Sequence, residues 1–196
     1  MKNIPALDPK VLDLVTEISK EPKVEAAMAF IKDQTEVAMQ EQIELCEIEA
    51  PTFHEEKRAA SVAERMRQYG LTDVHIDEIG NVIGIRKGSG NGPVLAIGAH
   101  MDSVFPAGTD VKVKKEGNIY RAPGIGDNCS GLRALLQVLR ALEKEDIRTV
   151  GDIWFVGTVG EEGNGDIRGS KHLCANNKLD GFVAIDSTDV GRVLYG

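Results

Sequence analysis

Apolar and polar positions alternate in two rhythms along the chain, helical first and then strand-like. Asp8 followed by Pro9 reads as an N-cap with proline in the first turn, which predicts a helix to about Lys20. Val24, Ala27, Met28, Ile31, Thr35 and Ala38 recur at helical spacing and predict one long helix from about Lys23 to Ile48. Thr52 and Glu55 form a capping-box pair, opening a helix through Tyr69 that Gly70 stops. The rhythm then shortens. Val74 and Ile76, then Val82, Ile83 and Ile85, flank Gly80-Asn81 as a hairpin. Val111, Val113 and Ile119 around Gly117-Asn118 suggest a second one.

Three apolar runs, Pro93 to Ala99, Asp152 to Val159 and Gly181 to Ile185, read as buried core strands. Between the first two lies a leucine-rich helix, Gly131 to Leu142, and a short helical turn from Ser170 to Ala175 precedes the third. Helices alternating with apolar strands predict an α/β domain of three layers, α/β/α, around a largely parallel central sheet. In such sheets ligands gather in the crevice beyond the carboxyl ends of the strands.

Composition narrows the classes. With 196 residues, 42% hydrophobic and 28% charged, the chain suits an ordinary globular domain. A net charge of -8 and no basic stripe argue against a nucleic-acid partner. No run of about 18 apolar residues predicts a membrane span, and the N-terminus has no apolar core of a secretory signal. Cys46, Cys129 and Cys174 are odd in number and widely spaced, which points away from a disulfide framework or thiolate zinc site and towards a reducing, cytoplasmic setting.

Chemistry-bearing side chains collect where apolar strands end. His100 and Asp102 follow the first core strand, two apart and so on one side, and a carboxylate is the partner that a metal-ligating imidazole needs at its second nitrogen. Asp127 sits in the glycine-rich turn Gly124 to Gly131, where it or Asn128 could equally cap the following helix. Glu161 and Glu162 follow the second core strand, and Asp186 ends the third. Neighbours in extended backbone point apart, so one glutamate could bind metal while the other moves a proton. Taken singly, each has a commoner meaning as a structural histidine, a cap or a solvated acidic turn. Four successive strand ends, however, could deliver His100, Asp127, Glu162 and Asp186 to one crevice. Imidazole and carboxylate donors of this kind suit Zn²⁺, Co²⁺ or Mn²⁺.

From Gln42 to the end, the pattern His-x-Asp, Gly-x-Gly-Asp-x-x-x-Gly, Glu-Glu after a strand, and an acid ending the next strand resembles one family. It is the co-catalytic two-zinc family of peptidase T, acetylornithine deacetylase, succinyl-diaminopimelate desuccinylase and aminoacylase. The resemblance implies a pair of zinc ions, with His100 and Asp186 on one, Glu162 on the other and Asp127 bridging. It makes Asp102 the residue that orients His100, Glu161 the general base, and the Asp127-Asn128 peptide bond cis. It implies hydrolysis of terminal peptide bonds in small peptides, dipeptidase- or aminopeptidase-like. Deacylation of N-acyl amino acids is the alternative, and a catalytically inactive metal-binding fragment a second one. An aspartate at 186 resembles the aminopeptidase, dipeptidase and aminoacylase members. The family also supplies a second histidine ligand and a lid or dimerisation domain later in a longer chain, and His54, His75 and His172 stand in no matching context. The expected organisation is therefore residues 1–50 as N-terminal helices and 51–196 as the first part of the catalytic domain. The resemblance places the lid, the rest of that domain and any homodimer contact beyond Gly196.

Overall fold

The computed structural model describes residues 8–187. Four helices come first: α1 (Pro9–Ser19), α2 (Pro22–Asp33), α3 (Thr35–Cys46) and α4 (Glu56–Gln68). Strands β1 (Asp73–Ile76), β2 (Val82–Arg86) and β3 (Leu95–His100) follow, then the small pair β4 (Lys114–Glu116) and β5 (Ile119–Arg121). Helix α5 (Cys129–Lys144), strand β6 (Ile153–Thr158), helix α6 (Arg168–Asn176) and strand β7 (Gly181–Ala184) complete the order. The main sheet runs β1-β2-β6-β3-β7. Its β6-β3-β7 portion is parallel, and the β1-β2 hairpin extends it in antiparallel sense.

Alternation along the strands builds two cores. Val82, Ala99 and Phe155 face α3, α4 and α5 and pack with Leu45, Val62, Met66, Leu132, Leu135 and Leu139. Ile83, Ala96 and Val156 face the other way, against Leu173 of α6 and Phe182. This is the α/β/α layering that the strand and helix rhythms predict. Because β3 and β6 run parallel and in register, with His100 opposite Thr158, their carboxyl ends open on the same edge. Among the described residues no helix is long and apolar enough to cross a membrane.

Two helix expectations need correction. The single helix from Lys23 to Ile48 is two, broken at Gln34, whose backbone leaves helical geometry (φ -90, ψ 13). Thr35 there turns its hydroxyl back to donate to the Lys32 carbonyl, at 2.7 Å, the local competition with helix bonding that threonine offers. The capping box is also not one. Helix α4 starts at Glu56 with no side-chain cap, and His54 precedes it rather than lying in its first turn. Thr52 and Glu55 bond elsewhere, to the loops that carry the acids.

Candidate metal centre

His100 is the last residue of β3 and is buried. Its Nδ1 lies 3.1 Å from the Asp102 carbonyl and 3.4 Å from Asp102 Oδ1. Its Nε2 looks the other way, 3.0 Å from Asp127 Oδ1, 3.6 Å from Asp186 Oδ1 and 4.0 Å from Glu161 Oε2. One ligand atom each from His100, Asp127 and Glu162 lies within 4.8 Å of the others. Asp186 reaches the imidazole without joining that mutually close trio. No second histidine belongs to it among the described residues.

Each acid is held by its backbone. Asn128 takes the cap of α5, accepting from the Gly131 amide at 3.0 Å, and donates to the Ile185 carbonyl at 2.9 Å. The cap reading of the glycine-rich turn thus belongs to Asn128, leaving the Asp127 carboxylate free to face His100. The same bond ties the turn to the segment bearing Asp186, and the Asp127-Asn128 peptide is cis. A Cβ at Gly131 would strike Asn128 Oδ1 and the Ile185 carbonyl, so this approach needs glycine.

Asp102 is fully buried and holds two loops at once. Its Oδ1 accepts from the Glu161 amide (2.9 Å), and its Oδ2 accepts from the Glu162 amide (3.0 Å) and the Thr52 hydroxyl (2.9 Å). Glu55, also buried, accepts from the Gly160 amide at 2.9 Å and pairs with Arg168 at 3.3 Å. Gly160 turns through φ +58 with Arg168 packed where a Cβ would stand. Buried Asn81 accepts from the Val159 amide and donates to the Gly169 carbonyl. The turn with the two glutamates is therefore gripped from both sides of the sheet edge. Thr52, Glu55, Asn81 and Arg168 are the supporting residues that sequence reasoning missed. Thr52 and Glu55 carried a signal that read as a helix start, and Asn81 one that read as a hairpin turn.

The electrostatics are those of crowded acids around one cation. Burial pushes the Asp102 carboxyl up, but hydrogen bonds from His100, the two glutamate amides and Thr52 outweigh it and hold it at about 2. Burial disfavours the charged imidazole, yet Asp102, through its hydrogen bond and charge, with Asp186 and Glu161, pushes His100 up to about 9. Burial raises Glu161, helped by the charges of Asp186, Asp102 and Asp127 against the opposing pull of His100. Burial and the Asp127 charge raise Glu162. Carboxylates that repel one another around an imidazole with its outer nitrogen already held are what a divalent cation would relieve, and the donor set fits one.

Residues 96–192 match the family described as peptidase family M20/M25/M40. A putative LysW-lysine/LysW-ornithine hydrolase of Pyrococcus abyssi is 35% identical over 120 residues, covering 61% of this chain and 32% of that protein. An N-carbamoyl-L-amino-acid amidohydrolase of a Pseudomonas strain is 29% identical over 135 residues, 67% of this chain and 28% of its own. The crystal structure of a Staphylococcus aureus tripeptidase superimposes with a TM-score of 0.63 at 31% identity, over 77% of this chain and 43% of that one. The chain thus spans about a third of the length of these curated relatives. Through the strands and turns that carry His100, Asp127, the two glutamates and Asp186, the region 96–192 of this chain belongs to peptidase family M20/M25/M40.

Proposed function

We propose that the chain is the first part of the catalytic domain of a metal-dependent hydrolase that removes terminal residues from small peptides. In this reading residues 1–50 form N-terminal helices and 51–196 belong to the catalytic domain. The observation that carries it is the trio His100, Asp127 and Glu162 within 4.8 Å, with Glu161 beside it and outside it. A site built only to hold metal has no use for that extra carboxylate.

His100, Asp127, Glu162 and Asp186 would hold two divalent cations, zinc by the donor chemistry. Such ions polarise the scissile carbonyl and make water a stronger acid. The chain's own residues do the rest. The Asp102 carbonyl accepts the Nδ1 proton of His100, with the Asp102 carboxylate beside it, fixing the tautomer that presents Nε2 as a donor of electrons. The grip of that carboxylate on both glutamate amides fixes the backbone from which the two glutamate side chains project. Glu161, its carboxyl raised above the ordinary range, takes a proton from the attacking water and passes it to the leaving nitrogen.

The test is metal analysis and di- and tripeptide hydrolysis by the full-length protein, with Glu161→Gln alongside. Turnover should fall about 10²- to 10⁴-fold while bound metal stays unchanged. Undiminished turnover in the variant, or activity after complete metal removal, would defeat the reading. The amidohydrolase relative favours a second substrate class, N-acylated amino acids. Faster release from N-acetyl or N-carbamoyl amino acids than from dipeptides would select it.

A further inference from the structure

Two cavities border the glutamate pair, one at Glu161 and the other at Glu162, and the proposed mechanism uses only the first. The first, of about 290 Å³, has His100, Glu161 and Asp186 in its wall. The second, of about 330 Å³, shares none of these; Glu162 borders it, and Pro51, Phe53, Val104, Phe105 and Pro106 make it mainly apolar. Phe53 is 50% exposed and Val104 62% exposed, in loops that flank the fully buried Asp102.

These exposed apolar groups are held in place. The two loops are joined by a parallel bridge between Pro51 and Ser103, and the Ser103 amide donates to the Ala50 carbonyl at 2.9 Å. Phe53 adopts φ 75, a left-handed conformation that a bulky residue rarely takes. The Arg168 guanidinium stands 5.2 Å from its ring centroid, and Glu55 pairs with that guanidinium. A strained backbone and a buttressed ring kept half in water are costly for a surface loop.

We infer that this second cavity is the side-chain subsite for the residue on the acyl side of the cleaved bond, and that it takes a large apolar side chain such as leucine or phenylalanine. The inference rests on the hydrolase reading. Glu161 must hand its proton to the leaving nitrogen, so the leaving residue lies along the cavity that Glu161 borders. The acyl residue then lies across the cluster, on the side of Glu162, where Phe53 and Val104 wait. The volume is at the small end of ligand pockets and has room for a large side chain.

The experiment is calorimetric titration of the metal-loaded, full-length protein with L-leucine and L-alanine, the acyl-side products of Leu-Gly and Ala-Gly. Hydrolysis of both dipeptides is measured in parallel. Leucine should bind about tenfold tighter than alanine, the discrimination an apolar pocket gives. Phe53→Ala should remove most of that ratio, and Phe53→Leu, which preserves an apolar wall, should keep most of it. Equal binding of the two amino acids, no binding of either, or a ratio untouched by Phe53→Ala overturns the inference. Intact leucine preference with no dipeptide turned over overturns the hydrolase reading alone, and turnover indifferent to the acyl residue overturns the subsite alone.

Discussion

Asp102 and His100 make opposite demands on proton concentration, and the metal-free protein should show both. Asp102 has a folded pKa of about 2 against an ordinary 3.8, so its contribution is complete above the ordinary value and is lost as pH falls towards 2. His100 has a folded pKa of about 9 against 6.5, so its contribution is complete below 6.5 and is lost as pH rises through 9. The shifts correspond to about 2 kcal/mol for the aspartate and about 3 kcal/mol for the histidine. Denaturant midpoints of metal-free protein should therefore be highest between about pH 4 and 6.5 and fall at both ends. In His100→Ala the alkaline fall should flatten, which a urea titration at pH 6 and pH 9 reads directly. Cation binding displaces the imidazole proton, so zinc affinity should rise with pH over the same alkaline range.

At the scale of elements, buried Arg58 on α4 shows what joins the helical layer to the site. Its guanidinium donates to the carbonyls of Leu45, Cys46, Ile48 and Met101, clamping the end of α3 and the turn after β3. Arg58→Ala would leave these carbonyls without their charged donor and should cost roughly 3 kcal/mol or more. Lysine should not rescue it, having no planar fork to reach several carbonyls at once. Gly131→Ala should be comparably damaging, because the new methyl displaces the Asn128 side chain that caps α5 and holds the Ile185 carbonyl. Thermal melts with and without zinc separate the two: Arg58→Ala should lower both, while Gly131→Ala should also shrink the zinc-induced rise. The helix breaks were the least legible feature of the sequence. Apolar spacing continues smoothly across Gln34, whereas the break is a local change of backbone there, accompanied by the Thr35 hydroxyl donating to the Lys32 carbonyl. Thr52 and Glu55 carry the local signature of a helix start, and nothing nearby in sequence reveals that their partners are Asp102, Gly160 and Arg168, about 50 to 113 positions away.

For the whole molecule, the layered architecture was legible because it rests on period: twofold in the core strands, 3.6-fold in α5, and glycine between them. That His100, Glu161 and Asp186 stand at or just beyond strand ends follows from where the apolar runs stop. Their common direction follows from the parallel run of β6, β3 and β7. What apolar patterning does not encode is the supporting shell, since buried Asn81, Glu55 and Arg58 look in sequence like any surface polar residue. A cation bound only by the folded chain stabilises it by mass action, about 2.7 kcal/mol at a hundredfold excess over Kd. Zinc should accordingly raise the melting temperature of the whole domain by several degrees, and chelation should reverse the gain.

The single carboxylate of Asp102 carries a further consequence. Its two oxygens accept from the Glu161 and Glu162 amides and stand beside the His100 imidazole, whose Nδ1 also faces the Asp102 carbonyl, so the three residues share one anchor. Losses measured at these positions should be strongly sub-additive: once Asp102→Ala has loosened the anchor, removing the Glu161 carboxyl as well should lower turnover little further. A change at position 102 should therefore disturb His100, Glu161 and Glu162 together, whereas a side-chain change at 161 or 162 leaves the anchoring amides in place.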